Sequence, residues 1–224
     1  MATSKVDRSK YGPGMGEVVL GAALSLTLGA MVAMGILVAK PVQAVKQVPK
    51  DAAPGSVYYI EGTKGGDAGK QWMRKRQLFT EGSTVSLNED ELNLWITSTM
   101  GAAKAGAKPA PGAPLLEMGP PNFRIADGKL QVASQCMLNL DWFGVKFPVV
   151  VQAAGHFAKT GGDFSLVPDE FFVGSCPLHR VPVVGAIVFD QVLGRIKPPS
   201  DLAAAWKKLA GVSIDAKTLK LTRP

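Results

Sequence analysis

Cys176 and His179 are the residues of this chain whose types and spacing come nearest to chemistry. In Cys176-Pro177-Leu178-His179 a thiol and an imidazole stand three residues apart, the pairing a cysteine nucleophile and its base would need. No third, orienting group is identifiable, and two ligands fall short of a zinc site. His156, the other histidine, falls on the more polar side of an alternating strand and reads as a surface or packing residue. Glu89-Asp90-Glu91 places three carboxylates side by side, as some metal sites do. Successive helical positions point in different directions, however, so the three read as acids in the first turn of a helix, where the dipole favours anions. No G-x-S-x-G elbow, P-loop, Rossmann glycine pattern or H-E-x-x-H occurs. A non-enzymatic protein with no cofactor and no metal is expected.

The charge balance narrows the partners. The net charge is +7. Residues 1–50 hold six cations (Lys5, Arg8, Lys10, Lys40, Lys46, Lys50) against Asp7 and Glu17, a net +4; residues 51–224 hold nineteen against sixteen, a net +3. Most of the excess therefore flanks the N-terminal apolar run, where cations meet anionic headgroups. The dense cluster of the remainder, Arg74-Lys75-Arg76, is too small to argue for nucleic acid.

The run itself, Val18 to Ala39, carries no charge and is bracketed by Glu17 and Lys40. As a helix it reaches across a hydrocarbon core of ~30 Å. The organisation expected is a tail at 1–17, a transmembrane helix at 18–39, a Pro-rich linker at 40–56 and an extracytoplasmic domain at 57–224. The positive residues on the two sides tie, so orientation rests on the short tail, which favours a single pass of the inner (plasma) membrane with the domain outside. A cleaved signal peptide, cut near Val42-Gln43-Ala44, is the alternative, with the apolar run long for that purpose. Gly21, Ser25, Gly29 and Ala33 recur every four residues, a face on which two membrane helices could approach closely. Membrane lipids, and other membrane proteins through this helix, are the expected partners.

The domain reads as α+β: a curved antiparallel meander packed with two or three helices. Val57 to Ile60 is a short strand, 63–70 a loop, and Gln71 to Thr80 a strand of poor alternation. Ser86-Leu87-Asn88-Glu89 fits a capping box for a helix over Asn88–Met100, with Leu92, Trp95, Ile96 and Thr99 on one face. The stretch 101–121 begins with an Ala/Pro/Gly-rich run and ends at Pro120-Pro121; it is expected to be a mobile loop. Asn122 to Ala126, Asp127-Gly128 and the run from Lys129 form a hairpin with a type I′ signal. Leu130, Val132, Ser134, Cys136, Leu138 and Leu140 then alternate with polar positions, and Val145 to Ala158 repeats the pattern with Val149, Val151, Ala153, Gly155 and Phe157. Phe164 to Ser175 is a further strand, bent at Pro168. Val183 to Ile196 is a helix with Val184, Ile187, Val188, Gln191 and Val192 on one side. A short helix over Leu202–Leu209 and a hairpin of Val212–Ile214 with Thr218–Thr222 close the chain.

Cys136 and Cys176 invite a disulfide in an extracytoplasmic domain. Pairing Trp142 with Val145 and Ala158 with Asp163 sets the two cysteines two strands and about six residues apart, ~9.6 Å by ~20 Å at standard sheet spacings. A bridge needs Cα atoms within ~7 Å, so none is expected.

Glu91-Leu92-Asn93 on the capped helix, Ile125-Ala126-Asp127-Gly128-Lys129-Leu130 at the hairpin, Phe164-Ser165-Leu166-Val167-Pro168 and Val173-Gly174 in the meander, and a Pro before the next helix follow one another after a single span. This order resembles the YpmS-like family of small membrane-anchored extracytoplasmic proteins, over most of 86–222. The Ala/Pro loop and both cysteines lie outside that resemblance. It implies topology and location, with lipid handling as a suggestion, and no catalytic residue. Two roles are expected. One is an accessory or structural subunit of a membrane complex. The other is a binding module holding a lipid or another hydrophobic ligand on the concave face of the sheet, near Trp95, Ala153, Gly155 and Phe157, where small mid-strand residues leave room.

Overall fold

A computed structural model of the chain describes residues 12–47, 49–51, 55–63, 65, 69–99, 116–140, 144–193 and 200–224. The apolar run is a helix, α1 (Met15–Ala39), which starts one turn earlier than its uncharged stretch. Its mean hydropathy is 2.1 and none of its residues is buried. It is long and apolar enough to cross a membrane.

The remainder is α+β, as the patterning predicts, with an open five-stranded sheet and no closed barrel among the described residues. Strands β4 (Leu116–Ala126), β5 (Lys129–Leu140), β6 (Val145–Thr160), β7 (Asp163–Val173) and β8 (Cys176–Pro177) lie in chain order, each antiparallel to the next. Asp127 and Gly128 both have positive φ, 53° and 70°, as a type I′ turn requires. Two shorter strands, β1 (Gln43–Val45) and β2 (Tyr58–Ile60), form a parallel ribbon. The segment expected as a linker therefore contains half of a strand pair. β3 (Val85–Asn88), β9 (Gly211–Asp215) and β10 (Thr218–Thr222) make a three-stranded sheet in which β10 is central.

Among the described residues four α-helices join the sheets where two or three were expected: α2 (Gly69–Glu81), α3 (Glu89–Thr99), α4 (Pro182–Leu193) and α5 (Ser200–Lys207). The extra one is α2, where a strand was expected over Gln71–Thr80. Gln, Met, Arg, Lys and Leu are strong helix formers, and the helical turn directs Phe79 into the core while Trp72 and Leu78 pack beside it. The capping box also moves. Ser86 lies in β3, and Asn88 and Glu91 make the reciprocal pair: the Glu91 N–H donates to Asn88 Oδ1 (2.9 Å) and the Asn88 N–H to Glu91 Oε2 (3.0 Å). Both motifs fit the same four-residue rule, and the β3–β10 ladder, with Ser86 opposite Lys220, decides between them. β4 starts at Leu116, so 116–121 is strand; the rest of the expected loop, 101–115, lies outside the described residues. A bulge between Met118 and Pro121 absorbs Gly119 and Pro120, and Pro121 resumes the register opposite Ser134.

Two apolar clusters fill one face of the large sheet. The first gathers Phe79, Leu87, Leu92, Trp95, Ile125, Leu130, Leu202, Leu219 and Leu221 between α2, α3, α5 and the small sheet. The second gathers Cys136, Val149, Val151, Ala153, Phe171, Val173, Cys176, Leu178 and Phe189, with Met34, Leu37 and Val38 of α1 packed against it. The last turns of α1 are thus part of the domain's core. The Ser175 N–H donates to the Leu37 carbonyl (2.9 Å), and a Cβ on Gly174 (φ +59°) would overlap the Val38 carbonyl.

Candidate functional site

The residues whose types come nearest to chemistry are occupied by structure. Cys176 is 2% exposed, and burial pushes its thiol above the usual range, the opposite of what a nucleophile needs. His179 Nδ1 lies 3.2 Å from both the N–H and the carbonyl oxygen of Phe171, and its ring meets Phe172 edge-on at 5.0 Å. The three carboxylates have three separate tasks. Glu89 accepts the N–H groups of Thr63 (2.6 Å) and Ile125 (3.1 Å), Asp90 accepts that of Gly65 (2.9 Å), and Glu91 pairs with Lys75 (2.6 Å). Among the described residues no group of three His, Cys, Asp or Glu could hold a metal ion. Two members of the basic cluster are likewise engaged, Lys75 with Glu91 and Arg76 with Asp201 (3.1 Å).

His156 stands on the surface beside Asp169, which it meets at 3.2 Å and Lys129 meets at 3.0 Å. Asp169 is the extra residue of a bulge: Ala154 pairs with Glu170 and Gly155 with Pro168. The hydrogen bond from Lys129 holds the Asp169 carboxyl below its ordinary range.

Of the expected groove residues, Trp95, Gly155 and Phe157 are packed rather than open, whereas Ala153 also lines the cavity described below. Trp95 meets Phe79 edge-on at 5.8 Å, Phe157 meets Trp206 at 5.9 Å, and Ala153 is 6% exposed in the second cluster. At Gly155 the bulge brings the Val167 carbonyl to where a Cβ would stand, so the missing side chain accommodates backbone. Gly21, Ser25, Gly29 and Ala33 all lie exposed on α1.

Both cysteines are buried and unbridged, and the register that separates them differs from the expected one. Leu140, not Trp142, pairs with Val145, and Thr160, not Ala158, pairs with Asp163. Cys136 therefore faces Val149. The chain turns back at Gly174-Ser175, so Cys176 returns beside Val173 on β8. Three strand steps, ~14 Å, now separate the two thiols.

Open space lies on the opposite face of the sheet. A cavity of about 470 Å³ is floored by Gln131 and Ala133 of β5, Gln152 and Ala154 of β6, and Glu170 and Phe172 of β7, with Arg124 of β4 at one side. Ser56 to Ile60, including β2, roof it. The size suits a small molecule. The roof is fixed at its far end by Asn122, whose Oδ1 accepts the Gly62 N–H (2.6 Å) and whose Nδ2 donates to the Gly62 carbonyl (3.4 Å). Arg124 Nη1 donates to Gln131 Oε1 (3.3 Å), which holds the guanidinium along the floor. Burial, then the nearby Glu61 carboxylate, pushes the Tyr59 phenol up to about 12. Amides, one guanidinium, the carboxylates of Asp127 and Glu170 and aromatic rings can bind a ligand by hydrogen bonds and ring contacts. The lining contains no thiol or imidazole to act as nucleophile or base.

This cavity escapes a search for apolar strand faces because it stands on the polar face. The readable signal is Ala133 and Ala154 among Gln131, Gln152 and Glu170: small residues on a polar face leave a hollow once something covers it. Comparison of the chain with family models, with curated proteins and with solved structures finds no match.

Proposed function

We propose that this chain is a single-pass, non-enzymatic accessory protein of a membrane complex, its domain held rigidly against the extracytoplasmic face of the inner (plasma) membrane. The observation that carries the reading is the seating of α1. Met34, Leu37 and Val38 pack into the domain's second cluster, and the Leu37 carbonyl is bonded to Ser175. A helix that completes a core is poorly suited to removal, which favours an anchor over a cleaved leader. The order of signals that resembles YpmS-like proteins supports the same topology. The exposed face of Gly21, Ser25, Gly29 and Ala33 offers a surface for helix partners within the bilayer. The test is extraction of the full chain in mild detergent at native abundance, followed by sizing and identification of co-purifying proteins. The expected result is a stable larger assembly; a lone monomer counts against the complex.

A second reading, favoured by the cavity, is a binding module for a small polar or amphipathic molecule. The Ala154→Trp variant would fill the floor. Native mass spectrometry of full chain released from lipid nanodiscs is expected to show an adduct on the parent and none on the variant.

A further inference from the structure

Outside α1, the large apolar side chains that lie exposed among the described residues are Met73, Met137, Val145, Val181, Val183, Val184 and Ile187. The last four fall within seven consecutive residues, at the start of α4. Val183 is 73% exposed and Ile187 58%. At about 100° per residue, Val183, Ile187 and Val184 share one arc of the helix, and Val188, Gly185 and Phe189 the next. The second arc is the one that packs inward: Phe189 meets Phe171 edge-on at 5.3 Å, and Gly185 lies against the Leu178 carbonyl. The first arc is left bare.

The location of this bare arc decides what covers it. Phe189 and Val188 belong to the same cluster that receives Met34, Leu37 and Val38, so α4 packs beside the place where α1 enters the domain. Arg180, exposed just before the helix, and Lys40, exposed just after α1, supply cations of the kind found at headgroup level. Asp190 is exposed on the next turn and marks where the apolar surface ends. We propose that the first two turns of α4 are a second membrane contact, with Val181, Val183, Val184 and Ile187 buried in the interfacial layer beside α1. The inference rests on the reading of α1 as a span. It gives the domain two attachments to the bilayer and fixes its rotation about α1.

Depth-dependent quenching tests it. The full chain, carrying a bimane label at Ile187→Cys, Leu24→Cys or Met73→Cys, is reconstituted into vesicles of phosphatidylcholine and phosphatidylglycerol containing acyl-brominated lipid. The unsubstituted chain serves as the blank, since Cys136 and Cys176 are buried. The expected result is strong quenching at Leu24, quenching at Ile187 at least half as large, and almost none at Met73. Quenching at Leu24 with Ile187 at the level of Met73 overturns the second contact and leaves the span standing; a protein partner or a second copy on this arc would give that pattern. Absence of quenching at Leu24 overturns the span and the contact together. Val183→Cys repeats the measurement one turn away, should Ile187→Cys disturb the helix.

Discussion

Asn93 holds the free edge of β4. Its amide donates to the carbonyls of Thr63 (3.1 Å) and Phe123 (2.7 Å), and its oxygen accepts the Phe123 N–H (2.6 Å). One turn earlier, Glu89 accepts the N–H of Ile125. Two side chains of a helix thus stand where a neighbouring strand would be, and they close an edge that would otherwise be open to pairing. Asn93 is fully buried. Asn93→Ala should cost about 3 kcal/mol in chemical denaturation of the full chain in detergent, since three groups lose partners. Asn93→Asp should cost at least as much, because its carboxylate would face two carbonyls. Tyr59 makes a second prediction at this scale. Its phenol titrates at about 12 when folded against ~10 when unfolded. The folded state therefore holds the proton longer. The stability this contributes is complete below pH ~10 and is lost as pH rises through about 12. Absorbance at 295 nm should show an ionisation step near pH 12 that Tyr59→Phe removes.

At the scale of elements, α2 is fastened to α3 by Lys75 and Glu91, of which Glu91 is nearly inaccessible and Lys75 keeps 30% of its side chain in water. Lys75→Met should destabilise by about 2 kcal/mol, less than a fully buried pair would lose. Adding Glu91→Gln should recover most of that, because the orphaned charge is then gone; a double-mutant cycle in urea reads the difference. The junction of α1 with the β7–β8 turn is equally specific. Gly174→Val places a branched side chain against the Val38 carbonyl at positive φ. Hydrogen exchange at the Ser175 amide should accelerate at least about tenfold as α1 lifts from its seat. Which elements could be read from sequence follows from the same physics. The β5–β6 meander was legible because one face is apolar at every second residue over long runs, and the Asp127-Gly128 turn because its residues tolerate positive φ. α2 was not, because Trp72, Phe79 and the intervening cations match neither period cleanly. The pattern does not choose Asn88 over Ser86, because capping chemistry is local and β3 is formed by pairing with the distant β10. The cysteine register differs because both turns sit two residues from their expected places: the alternation runs on to Trp142, past Leu140, which pairs with Val145, while the β6–β7 pairing continues beyond Ala158 to Thr160.

At the scale of the whole molecule, the apolar face of the meander was visible as a face, and a ligand on it belonged to the second of the two expected roles. The core took it instead, with α1 itself supplying part of the cover. A local pattern shows that a surface must be buried and says nothing of which segment buries it. The polar face, unremarkable in sequence, keeps the hollow because only a thin ribbon crosses it. The strand paired with the roof of that hollow, β1, begins four residues after α1 ends, so the position of α1 and the shape of the cavity are mechanically connected. The seating of α1 bears also on how the protein is made and handled. Its final turns are synthesised long before Phe171, Cys176 and Phe189, so the second cluster waits for the rest of the chain before it can close. A secreted version starting at residue 41, the obvious choice for crystallisation or immunisation, discards Met34, Leu37 and Val38 and bares the side chains they cover. Such a product should bind anilinonaphthalene sulfonate and aggregate, whereas one starting at residue 33 with its preceding turns removed should not.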